Sequence, residues 1–67
     1  MFYKSEDGCI IDLSKLSTLT GFDESPLYYI KFILLDGSTS VWMYTNRDKR
    51  NEEYKIVRIL QEIEQKE

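Results

Sequence analysis

Residues 27 to 44 read LYYIKFILL, then DG, then STSVWMY, and this stretch constrains the fold more than any other. An Asp-Gly pair between two β-prone runs is the favoured chemistry for a tight hairpin, because the turn needs positive φ. The runs are rich in β-branched and aromatic residues, which suit a pleated surface. Strands are therefore expected over about 27–35 and 38–44. Alternation divides the first strand into two faces. Tyr28, Ile30, Phe32 and Leu34 share one, and Tyr29, Lys31, Ile33 and Leu35 share the other. On the return strand Val41 and Met43 oppose Trp42 and Tyr44. The Phe32 face is wholly apolar or aromatic and should meet a helix. The Tyr29 face is only partly polar, so this strand carries apolar side chains on both sides.

A helix is expected over about 48–65. Ile56, Ile59, Leu60 and Ile63 fall on one broad face at 100° per residue, with Val57 at its border. Lys55, Arg58 and Glu62 fall opposite. Thr45 with Asp48, or Asn51 ahead of Glu52 and Glu53, offers an N-terminal cap. An acidic first turn suits the helix dipole in either case. The last residues, Glu64 to Glu67, should fray.

The N-terminal third is less regular. Phe2 and Tyr3 can open a short strand, and Glu6-Asp7-Gly8 reads as a turn. Residues 9–13, CIIDL, favour a strand. Leu13, Leu16 and Leu19 recur every third residue, as in a helical turn, while Ser17, Thr18 and Thr20 prefer a strand. A strand over about 16–22 is the preferred reading. Pro26 then breaks the ladder, so residues 23–26 form a connection. The sum is one α+β domain spanning 1–67: an antiparallel β-meander of about four strands with one C-terminal amphipathic helix packed on one face.

Composition limits what such a domain can do. A chain of 67 residues buries only roughly 60% of the surface its unfolded form exposes. Five Tyr, three Phe and one Trp compensate, since each ring buries about 150–250 Å². Cys9 is the single cysteine and there is no histidine, so an internal disulfide is excluded and the usual tetrahedral zinc site is not expected. Cys-His and Ser-His catalysis are excluded for the same reason. Cys9 is read as a small buried apolar residue beside Ile10 and Ile11. The acidic pairs Glu6-Asp7, Asp23-Glu24 and Glu52-Glu53 fall in turns and at the helix start, where they are expected to be solvated and not to act as acid and base. No catalytic residue, metal or cofactor is assigned, and an enzyme is not expected.

A formal charge of −3 gives no footprint for nucleic acid. No apolar run approaches the roughly 20 residues a membrane-spanning helix needs. The first residues, MFYKSEDGC, show no basic region followed by an apolar stretch, and a lone thiol suits a reducing compartment. A cytoplasmic location is the expectation.

Two surfaces suggest function. Tyr28, Tyr29, Phe32, Trp42, Tyr44 and Tyr54 are too many for one side of a small sheet. Tyr29, Ile33, Trp42 and Tyr44 are assigned to an exposed cluster, and clusters of this kind mark protein interfaces. The bland account is a closed or strongly curved sheet whose second face is covered by residues 13–22. The exposed cluster points to a non-catalytic interaction module, self-associating as a homodimer through the aromatic sheet face or an edge strand, with a further protein partner unidentified. The alternative is a small-ligand or nucleotide site, with Trp42 or Tyr44 stacking a base and Arg47 and Lys49 meeting phosphate. Arg47, Lys49, Arg50, Lys55 and Arg58 outnumber Asp48, Glu52 and Glu53 by +2, while the rest of the chain is net −5. The bland account of that excess is a helix face with i, i+4 pairing.

The order YYIKFILLDGSTSVWMY, charged loop, EEYKIVRILQEI resembles a diffuse group of short bacterial and phage-encoded proteins of unknown function. The likeness covers about residues 10 to 63 and rests on architecture. It implies a small non-enzymatic module, in some members a mobile-element-encoded inhibitor or regulator, and it carries over no functional residue. The same order also looks like the C-terminal half of a pleckstrin-like fold.

Overall fold

Strand β1 (Phe2–Lys4) pairs antiparallel with β2 (Ile10–Asp12) around a turn that Gly8 closes at φ +90°. The computed structural model describes residues 1–65, so the expected fraying at Lys66 and Glu67 lies outside the described residues. Asp12 then caps a single 3-10 turn, Leu13–Lys15, by accepting from the Ser14 amide and hydroxyl at 3.1 and 2.7 Å. Strands β3 (Leu16–Glu24), β4 (Leu27–Leu34) and β5 (Thr39–Tyr44) form an antiparallel meander in that order. Helix α1 (Arg47–Gln65) packs back across all three. The fold is thus α+β, with five strands in two sheets where about four in one meander were expected. The extra strand is β1, and Ser25-Pro26 is a two-residue turn that lets β3 run on to Glu24.

Both readings of the leucine-rich segment find a place. The 3-10 turn takes Leu13, and the strand takes Leu16 and Leu19. All three are buried. A register shift between Leu16 and Thr18 puts Leu16 and Leu19 on one face despite their odd spacing. Strand β3 lies beside β4 in the same sheet. It does not fold over the face that carries Tyr29.

The hairpin corrects the sequence reading at one consequential point. A two-residue loop at Asp36-Gly37 would set Tyr29 opposite Tyr44. The structure has a three-residue loop instead: the Leu34 amide donates to Ser38 O at 2.8 Å, and Gly37 holds φ +89°. Ile30 therefore pairs with Trp42, and Tyr28 with Tyr44. A one-residue change of register exchanges the faces of a strand. Trp42 and Tyr44 thus lie on the core side, away from Tyr29 and Ile33.

The core is built from Ile11, Leu13, Leu16, Leu19, Ile30, Phe32, Trp42 and Val57. Ile30 and Phe32 are wholly buried, as expected for the first face of β4. Trp42 meets Phe32 edge-on at 4.6 Å between centroids and stacks with Tyr3 at 6.4 Å. The first hairpin and the helix together cover the inner face of the meander.

The helix departs from expectation in its cap and in its buried stripe. Its cap is Asn46, whose side chain accepts from the Asp48 and Lys49 amides at 2.8 and 3.2 Å. Neither Thr45 nor Asn51 plays that part. The buried residues are Arg50, Glu53, Val57 and Gln61, with Tyr54 and Leu60 half-buried. Ile56, Ile59 and Ile63 are 37, 48 and 50% exposed. The reason is that the inner polar side chains find partners in the sheet. Arg50 donates to the main-chain oxygens of Phe22 and Tyr29, Gln61 to Ser17 O, and Glu53 accepts from the Tyr3 hydroxyl. Glu53 was expected to be solvated and is buried. Cys9 was expected to be buried and is exposed.

Candidate functional site

Cross-strand pairing builds the outer face of the meander. Phe22 lies opposite Tyr29, Tyr29 opposite Met43, Lys31 between Thr20 and Val41, and Ile33 between Thr18 and Thr39. The Phe22 and Tyr29 rings stack at 4.9 Å with 11° between their planes. Val41 and Met43 beside them are 50 and 56% exposed. Phe22, Tyr29 and Ile33 remain half-exposed. No described element lies over this face, since the helix and the first hairpin both contact the other side. Alternation also places Glu24, the partner of Leu27, on it.

Of the four residues assigned to an interface from sequence, Tyr29 and Ile33 lie here. Trp42 does not: its ring is buried between Tyr3 and Phe32. Tyr44 is half-buried on the inner side, and its hydroxyl is enclosed without a hydrogen-bond partner. Phe22, Val41 and Met43 take their places on the outer face. Val41 and Met43 were legible as opposing Trp42. What the sequence concealed was which of the two sides Tyr29 shares.

Trp42, Tyr44, Arg47 and Lys49 do not converge. Arg47 sits over the Tyr28 ring at 5.5 Å. Lys49 reaches Glu6 at 3.6 Å across the mouth of a cleft of about 310 Å³. Tyr3, Tyr44, Glu52, Glu53 and Ile56 line the same cleft. Tyr44 and Lys49 thus share a concavity, but Trp42 and Arg47 are elsewhere. Burial pushes the Tyr3 hydroxyl up to about 12, helped by its hydrogen bond to Glu53 and the negative charge of Glu53, Glu6 and Glu52. Burial pushes Tyr44 upward too, with Glu53 adding to it. The wall is therefore electronegative, which disfavours the phosphate of a nucleotide.

Among the described residues no group of three or more acidic or thiol side chains is placed to hold a metal ion. No helix among them is long and apolar enough to cross a membrane. Comparison with family models, with curated proteins and with solved structures gives no match.

Proposed function

We propose that this domain is a non-catalytic interaction module that forms a homodimer through the outer face of its meander. The observation that carries the reading is the stacked Phe22–Tyr29 pair with Val41 and Met43 exposed beside it. Aromatic and Met side chains are the ones enriched at the centre of protein interfaces. A second copy fits this face by charge as well as by apolarity. Glu24 lies one pleat to one side of the Phe22–Tyr29 level and Lys31 one pleat to the other. A two-fold axis through that level sets Lys31 of each copy against Glu24 of its partner, and the interface is self-complementary.

Tyr29→Ala and Met43→Lys test the reading. Both alter exposed or half-exposed side chains, so each should destabilise far less than a core truncation while association through this face is lost. Unchanged mass in both variants would remove the outer face from the account.

A further inference from the structure

The helix is turned the unusual way round, with Arg50, Glu53 and Gln61 against the sheet and three isoleucines toward solvent. Ile56, Ile59 and Ile63 are spaced by three and four residues, which makes one continuous stripe along about two turns. An apolar helical stripe of that spacing is the seam by which helices pair. We infer that this stripe docks the same stripe of a second copy in antiparallel orientation, a contact separate from the sheet face. The flanking charges select the occupant and the direction. Lys55 and Glu62 are both exposed, and among the described residues neither is held in an ion pair within the chain. Seven residues apart, they lie within about 20° of each other around the helix axis, on the same flank of the seam. An antiparallel pair centred on Ile59 brings Ile56 within one residue's rise, about 1.5 Å, of level with Ile63 of the partner. It brings Lys55 equally close to level with Glu62 of the partner on the same flank, twice by symmetry. A parallel two-fold pair would instead put this flank of the two copies on opposite sides of the seam, where Lys55 and Glu62 would not meet.

The test is a charge exchange at these exposed positions, read by sedimentation equilibrium in low salt. The Met43→Lys background removes the sheet face from the readout. Lys55→Glu alone and Glu62→Lys alone each create two like-charge contacts, and each should weaken association by roughly tenfold. An equimolar mixture of the two variants restores both opposite-charge contacts in the heterodimer and should recover the parent affinity. Ile59→Arg should abolish association. The inference is overturned if the Met43→Lys parent stays monomeric up to concentrations on the order of 1 mM. It is equally overturned if the single charge variants associate as the parent does, or if mixing them restores nothing.

Discussion

The Arg50 guanidinium donates to the main-chain oxygen of Phe22 at 3.0 Å, tying the start of the helix to a strand 28 residues earlier. The same nitrogen reaches Tyr29 O at 3.1 Å, the second terminal nitrogen meets Asp23 at 2.8 Å, and Nε donates to Asn51. Arg50 thus fastens β3, β4 and the helix from beneath the very level at which Phe22 and Tyr29 stack on the outer side. A planar fork can make these contacts together, whereas an ammonium cannot.

Arg50→Ala should therefore cost about 2–4 kcal/mol, since hydrogen bonds to a charged group are worth about 1.5–3 kcal/mol each and are not additive. Arg50→Lys should recover only part of that. Asp23→Asn should cost less than about 1 kcal/mol, because the carboxylate is half-exposed and solvent screens it. Urea denaturation of the three variants checks the order. Equal loss in Arg50→Ala and Asp23→Asn would show that the ion pair, not the main-chain bonds, carries the contact.

Trp42 and Tyr29 should separate stability from assembly. Trp42 is 7% exposed in the core, so Trp42→Ala should cost about 3–5 kcal/mol, enough to leave a chain of this size largely unfolded. Tyr29→Ala truncates a half-exposed ring and should cost about 1 kcal/mol or less beyond its stacking on Phe22. Thermal melts and light scattering on both variants give the comparison. A Trp42→Ala chain that folds normally but fails to assemble would return the indole to the interface.

The Tyr3–Glu53 bond predicts a loss of stability in alkali. Tyr3 ionises at about 12 in the fold against about 10 when unfolded. A raised value means that the fold holds its proton longer than the unfolded chain does. The stabilisation is complete below about pH 10 and is lost as pH rises toward the folded value. Tyr3→Phe should remove its share of that alkaline loss. It should also cost about 1–3 kcal/mol at neutral pH, because the buried Glu53 carboxylate loses its donor. Near-ultraviolet titration of the native protein should show some phenols ionising late. All five ionising together near their ordinary value would contradict the placement of Tyr3 and Tyr44.

Local chemistry was legible where it decided structure alone. The Asp36-Gly37 turn, the inner face Ile30 and Phe32, and the position of the helix all follow from alternation, turn residues and periodicity. Register was not legible. Adding Leu35 to the loop exchanges the side on which Trp42 falls, and Asp-Gly chemistry serves loops of either length. The helix face misled for a different reason. Periodicity ranks residues by apolarity, so it favours Ile56, Ile59 and Ile63. Arg50, Glu53 and Gln61 are buried because partners 28, 50 and 44 residues away satisfy them, and such pairings leave no local signal. Of the candidate site, Tyr29 and Ile33 were legible from alternation. Phe22 was hidden because the bulge near Ser17 resets the phase of β3.

Static light scattering on the unmodified chain, over a range of concentrations up to about 1 mM, tests self-association most directly. The account predicts a mass that climbs from the 8.0 kDa of one chain to at least twice that value. A mass that stays at 8.0 kDa throughout would contradict it.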